Sequence, residues 1–429
     1  MLKKSNLKFS VKFLFHLIFI NIILTLIFTR SFMGIYILNF RLGELIVAFG
    51  LLVVVSYLLY VFIKKDVMLL NFPILNYFLL IIVFIFVVFM SSGSLLAQYT
   101  FKSSSFIWMT GYLFIGFLLF KSNDLNRYHK YALILTPFVI YIFNSGNYPN
   151  FIMYFFQQYS DKFQFNKGSD VLMALIFCSY LLKDLLSKEN FLIFINLNSA
   201  ILLPLFLTLS RASFFSAIIF VLLINFSNIK FIRKNFKKFF YLVITSAILF
   251  IVSTIRVAGL PDISFRSQEP IVVIQNSVNE VVERKSVNKF YGFYFCEERL
   301  CSEDNTLDWR FDIWFDLSKD MIEKNKFLIG FGFNEIFEVM KDPSAPGRLG
   351  RDGLNEHVHN HIFTVLGRMG IIGLIIYTTF QFKLIKAAGF QIILFLLPLF
   401  LVSFFDTTME SIQFPLLYYF LISYKYSKQ

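Results

Sequence analysis

The sequence predicts an all-α polytopic membrane protein of about twelve transmembrane helices with one large, mainly helical polar loop. Three observations lead there. Hydrophobic residues make up 57% of the 429 positions, and mean hydropathy is +0.67, well above what a water-soluble domain tolerates. Apolar runs of bilayer length recur from end to end, and only 256–369 interrupts them for long. Charge is segregated as well. From Ile255 to Gly370 there are 14 Lys and Arg against 18 Asp and Glu, so the whole excess behind the net +13 lies outside that segment.

The runs fall at roughly 12–29, 43–63, 71–91, 106–120, 131–144, 171–187, 191–209, 212–227, 238–255, 370–383, 388–405 and 412–424. They divide the chain into an N-terminal membrane bundle (1–255), the large loop (256–369) and a C-terminal group of spans (370–429). Lys3, Lys4, Lys8 and Lys12 precede the first run and no clean small-residue cleavage site follows, so an uncleaved anchor with its N-terminus inside is expected. Alternate connections then carry Lys64 and Lys65, Lys121, Arg127 and Lys130, Lys188, the series from Lys230 to Lys238, Lys383 and Lys386, and Lys425 and Lys428. Basic short loops stay in the cytoplasm, which puts both termini inside and the large loop outside. Arg30 and Arg41 are the exceptions, at outer ends. The positive balance is therefore an orientation signal, and the expected partner is a lipid bilayer, not a nucleic acid.

Within the large loop, apolar residues at helical spacing predict a helix from Leu307 to about Lys324 and a shorter one from Asn334 to Met340, after the turn Gly330-Phe331-Gly332. Residues 343–353, with Pro343, Pro346, Gly347, Gly350 and Gly353, read as irregular. A second outer loop, 144–170, is rich in Tyr, Phe, Gln and Asn. Cys178 lies in a span as a packing residue. Cys296 and Cys301 lie in the outer loop, where an oxidising compartment permits a disulfide.

The polar segment ends in Glu356-His357-Val358-His359-Asn360-His361, with Gly370 and Gly373 following as a bend-forming pair. Imidazoles beside a bilayer suggest a general base, since neutral imidazole takes a proton from a hydroxyl near ambient pH. Zinc ligation with Glu356 or Asp352, and plain solvated histidines, are the alternatives. Asn360 is placed to orient the ring or a sugar. Arg211, after Ser210 at an outer helix end, is either a snorkelling residue or a fixed cation for a phosphate or diphosphate. Arg310, between Trp309 and Phe311 and four residues before Trp314, either pairs with Asp308 or Asp312 or serves as a second such cation. Arg256, Arg348 and Arg351 are further cations. Asp406 and Glu410, before the last span, are interface residues or carboxylates near the site. No Gly-rich phosphate loop, nucleophile elbow or Asp-x-Asp pair occurs, which weighs against a cytoplasmic nucleotide-sugar donor. A lipid-linked oligosaccharide flippase would place ionisable groups opposite one another at mid-span, and few are found there, Lys183 lying near an end.

His359-Asn360, nine residues, then Gly370-Ile371-Ile372-Gly373 resembles the His-Asn-x9-Gly-x-x-Gly pattern of the O-antigen ligase and polymerase superfamily. Ser210-Arg211, Arg310 with Trp314, and Leu328-Ile329-Gly330-Phe331-Gly332 precede it in the family's order. The likeness is close over roughly 190–385 and architectural before that, with Leu374 a small departure. It implies a C-type-glycosyltransferase-like fold in the bacterial inner membrane with a periplasmic loop. It also implies inverting, metal- and cofactor-independent transfer of a glycan from undecaprenyl diphosphate. The acceptor is lipid A-core in a ligase and a carrier-linked glycan in a polymerase; protein O-oligosaccharyltransferases belong to the same class. By the resemblance His359 is the base, and Arg211 and Arg310 hold the diphosphate. The Arg-x10-Gly pattern associated with polymerases is absent from 256–369, which leans toward ligase.

Overall fold

The computed structural model describes residues 2–65, 71–161, 163, 165–258, 292–296, 298–342, 348 and 356–428. Its helices, in chain order, are α1 (Leu2–Met33), α2 (Leu42–Lys64), α3 (Ile74–Met90), α4 (Gln98–Ser103), α5 (Ser105–Trp108), α6 (Gly111–Ser122), α7 (Arg127–Asn144), α8 (Asn150–Tyr159) and α9 (Gly168–Leu182). There follow α10 (Lys188–Leu209), α11 (Arg211–Ser227), α12 (Ile229–Lys234), α13 (Phe236–Ala258), α14 (Asn305–Glu323), α15 (His361–Ala388), α16 (Ile393–Ser403) and α17 (Gln413–Ser427). Two small antiparallel hairpins complete the described residues: β1 (Tyr36–Ile37) with β2 (Phe40–Arg41), and β3 (Phe293–Cys296) with β4 (Arg299–Ser302).

Every apolar run lies on a helix, yet among the described residues only 6 helices are long and apolar enough to cross a membrane: Lys12–Met33, Leu42–Lys64, Ser105–Ser122, Lys188–Leu209, Phe236–Ala258 and His361–Ala388. Ile74–Met90, Gly168–Leu182, Arg211–Ser227 and Phe390–Ser403 are apolar but shorter. Packing explains part of the difference. All of α9 is buried, and nearly all of α17, with α7, α10 and α16 against the first and α6 against the second. A helix covered by protein on every side need not match the bilayer's thickness. By contrast α13 packs along α10 and only 11% of its apolar window is buried, so the rest faces lipid.

The large loop has its own small core. Ile313, Trp314, Leu317 and Met321 of α14 pack against Phe337, Val339, Met340 and Val358. Asp304 caps α14, accepting from Leu307 N at 2.9 Å. Of the second helix expected at Asn334–Met340, only the single turn Glu338–Met340 forms. Its polar groups are engaged elsewhere: Asn334 donates to Ser91 O at 2.7 Å, and Arg368 takes the carbonyl of Glu335 at 2.5 Å. Tertiary partners outcompete a helix of so few residues. The stretch 259–291, Arg351, Asp352 and, apart from Arg348, the irregular 343–353 lie outside the described residues.

The bend in α15 is bonded to the chain segment before it. Gly370 takes φ 64° and ψ −173°, whereas Gly373 is helical, so one glycine bends the chain and not the pair. Residues 327–332 supply partners for four backbone groups around the break. Phe331 N donates to Gly367 O at 2.8 Å and Gly332 N to Arg368 O at 3.1 Å; Ile371 N donates to Phe327 O at 2.9 Å and Ile372 N to Leu328 O at 3.4 Å. A Cβ at Gly370 would stand 2.2 Å from Leu328 O. Gly370→Ala is therefore expected to cost more than the ~1–3 kcal/mol of a strained φ alone. Thermal unfolding of the detergent-purified variant measures this, and a midpoint equal to that of the unaltered protein would contradict it.

Candidate functional site

Several segments converge where the large loop meets one end of the bundle. Segment 357–360 is neither strand nor helix. His359 sits in the left-handed region at φ 53°, which costs a residue with a Cβ ~1–3 kcal/mol. The conformation is held from both sides. Asn360 is buried and caps α15, its Oδ1 accepting from Ile362 N at 2.9 Å and Phe363 N at 3.2 Å. That use of Oδ1 fixes the backbone beside the His359 ring. Trp314 donates from Nε1 to Val358 O at 2.6 Å and stacks on Phe363 at 5.2 Å. The Trp309 ring meets the His359 ring edge-on at 5.2 Å. Thus α14 fixes the imidazole on one side and α15 fixes it on the other.

The three histidines have separate surroundings. His361 is buried, with Nδ1 2.9 Å from Glu410 Oε1 and Nε2 2.8 Å from Tyr377 Oη. Burial pushes Glu410 up, but His361 outweighs it and brings the carboxyl down to about 2. Burial pushes His357 down to about 4 against the pull of Glu410 and Glu356. His359 falls further, to about 3, from burial and then from the charges of Arg310 and Lys167, which Asp406 only partly offsets. Glu356 is taken by Lys102 at 2.7 Å, and no cluster of three or more His, Cys, Asp and Glu occurs among the described residues.

Arg310 stands between His359, Asp406 and Asp304 electrostatically, and burial lowers its pKa. Its buried Nε has no hydrogen-bond partner among the described residues. The acids beside it in sequence are engaged elsewhere: Asp308 is gripped by Arg299 at 2.9 Å, and Asp312 by Arg348 at 2.6 Å and by Arg299 Nε at 3.3 Å. Arg211 is not a snorkelling residue. It pairs with Asp304, so the N-cap carboxylate of α14 ties the loop to the start of α11. Arg256 donates to Ser145 at 3.0 Å. Cys296 and Cys301 are bonded across the β3–β4 hairpin, their Cα atoms 5.9 Å apart.

Two further cations reach the site. Arg30 donates to Thr407 Oγ1 at 3.3 Å and Lys167 to the same oxygen at 3.4 Å, while Lys167 stands 3.7 Å from Asp406. Arg30 is delivered by a break in α1. Thr29 takes φ 44° and donates to Asn166 Oδ1 at 3.0 Å, and Asn166 donates to the freed Ile27 carbonyl at 2.9 Å. Burial pushes Asp406 up, but Lys167, the 2.5 Å hydrogen bond from Ser169, Arg30 and His359 outweigh it and hold the carboxyl below its usual range. Arg310 and Lys167 act on the His359 ring electrostatically, Asp406 opposes them, and Arg30 joins the group through Thr407.

Residues 198–378 match the family model described as O-Antigen ligase. Over those residues, somewhat under half of its length, the chain is similar to the O-antigen ligase and polymerase superfamily. No curated protein and no solved structure matches the chain. The ligase-family region contains Arg211, Arg310, Trp314, His359, Asn360, Gly370 and Gly373; Arg30, Lys167 and Asp406 reach the same place from outside it. Its apolar helices make the chain a multi-pass membrane protein, and the matched region is of ligase or polymerase kind.

The low pKa values of His357 and His359 carry a stability consequence. Between about 6.5 and about 4 the unfolded chain binds protons on both that the folded chain does not. Stability therefore falls as pH is lowered through that window. Unfolding midpoints from pH 7 down to pH 4 should decline, and His357→Gln should flatten the decline. A midpoint independent of pH there would contradict the assignment.

Proposed function

We propose that the protein transfers a glycan from a membrane-bound polyprenyl diphosphate, of the undecaprenyl type, to an acceptor hydroxyl at the periplasmic face of the inner membrane. The observation carrying this reading is the His359 ring, fixed against Trp309 at the entrance to α15, with Arg310 and Lys167 near enough to act on it electrostatically. A base and fixed cations are what the reaction needs, because a diphosphate is already a good leaving group. His359 accepts the acceptor's proton as the acceptor oxygen bonds to the anomeric carbon. The bond from that carbon to the diphosphate oxygen breaks on the opposite side, with inversion. The electron pair leaves on the diphosphate, where Arg310, Lys167 and Arg30 face the developing charge. Arg211 contributes by holding Asp304 and the start of α14. No metal or cofactor is required.

An imidazole of pKa about 3 is a weak base. A bound diphosphate would offset the cations that depress it, raising its basicity when the donor is present. Base strength is then coupled to donor binding.

The acceptor is lipid A-core on the ligase reading, supported by the missing Arg-x10-Gly pattern, and a carrier-linked repeat on the polymerase reading. Deleting the gene and resolving lipopolysaccharide by gel separates them. Loss of all capped core means ligase and a remaining single-repeat band means polymerase. An unchanged ladder counts against both.

A further inference from the structure

A second region, at the opposite end of the bundle, lies outside everything described so far. The parallel helices α10 and α13 begin side by side, with Lys238 Nζ 2.9 Å from Glu189 Oε1. From that pair an apolar groove of about 280 Å³ runs between them, walled by Leu197, Phe231, Phe239 and Leu242 and reaching Thr245. α10 is 22 residues long, about 33 Å, and its far end leads through Ser210 to Arg211, so the groove, which starts at the Glu189 end, opens away from His359.

The groove's mouth is strongly basic. Lys230, Arg233, Lys234 and Lys237 are exposed and form no ion pair among the described residues. Glu189 is the one acid between 188 and 258, and Lys238 occupies it. Half-buried Phe231 and buried Ile232 pin α12 beneath these charges, with Lys188 over the Phe231 ring at 5.4 Å. An apolar cleft reaching from headgroup level into the hydrocarbon, with unneutralised cations at its entrance, matches one kind of occupant.

We propose that this groove binds one anionic phospholipid of the facing leaflet, an acyl chain lying between α10 and α13 and the phosphate lying on the α12 cations. Orientation signalling alone accounts for basic residues in the loop, but it does not account for an open apolar groove beneath them. The proposal does not depend on the reaction at His359.

The test uses the full chain purified in detergent, with phosphatidylglycerol or phosphatidylcholine added to the micelles and retained lipid counted by native mass spectrometry. Phosphatidylglycerol should be retained and phosphatidylcholine not. Lys234→Gln with Lys237→Gln should weaken retention about fivefold per charge. Thr245→Trp, which fills the groove and keeps every charge, should abolish it. Each variant must melt at the unaltered temperature without added lipid; Thr245→Phe replaces Thr245→Trp if that does not and should likewise lose the lipid, and Lys230→Gln with Arg233→Gln replaces the other pair and should weaken retention as much. Equal retention of both lipids, retention indifferent to the charge changes, or undiminished binding in Thr245→Trp would each overturn the proposal. So would displacement by equimolar inorganic phosphate, which would make this a phosphate site.

Discussion

Replacing His359 with Ala lowers glycan transfer by about 10²–10⁴-fold, the usual contribution of a positioned general base. The effect should fall on the chemical step, because the ring is placed for proton transfer while the cations around it hold the donor. Donor affinity should change little. His361→Ala is the informative contrast. It breaks the contacts to Glu410 and Tyr377 at the start of α15, so its loss should appear in the melting temperature as well as in rate. The pH profile adds an independent reading. The kcat/KM of the unaltered protein should not drop through pH 6.5, where an ordinary histidine would protonate, because His359 stays neutral to about 3. Transfer is measured in vitro with a lipid-linked donor, normalised to protein in the membrane. Undiminished transfer by the His359 variant would remove the base from the mechanism.

How much of this was readable in the sequence depended on the range of the interaction. The helix at 305–323 announced itself through local periodicity, and the apolar runs through length and composition. The break at Gly370 showed as a glycine, but its reason is contact with residues 327–332, which no local pattern carries. Asn334–Met340 failed as a helix for the same reason. Arg30 and Lys167 were missed because their partners, Thr407 and Asp406, lie some 240 to 377 positions away. A signal for Arg30 did exist. Arg30 and Arg41 are the two charges that break the orientation pattern expected from the sequence, and both are engaged by side chains, one with Thr407 and the other with Asp161 at 2.8 Å. A cation on the wrong side of a membrane protein for topology is there for another reason.

Arg310→Ala should cost about 3 kcal/mol of barrier, a loss of 10²–10³-fold, by analogy with removal of one preorganised donor facing developing charge. Among the cations near His359, Arg310 stands out: it lies on α14 beside the ring-positioning Trp309, its buried Nε is unpartnered among the described residues, and its carboxylate neighbours in sequence are held by Arg299 and Arg348. Lys167 shares Asp406 and Thr407 with Arg30, so removing either leaves a second cation there and should cost less. Arg310→Lys keeps the charge and loses the planar fork, so it should recover only part of the rate. The substitution also makes a prediction no merely structural role would make. After burial, Arg310 is the leading cause depressing His359, so its removal lets that pKa rise from about 3, with burial still holding it below the ordinary imidazole value. The residual activity of Arg310→Ala should then acquire an acid limb at higher pH than the unaltered protein shows. A flat residual profile, with the full loss of rate, would mean that the guanidinium and the imidazole do not share one site.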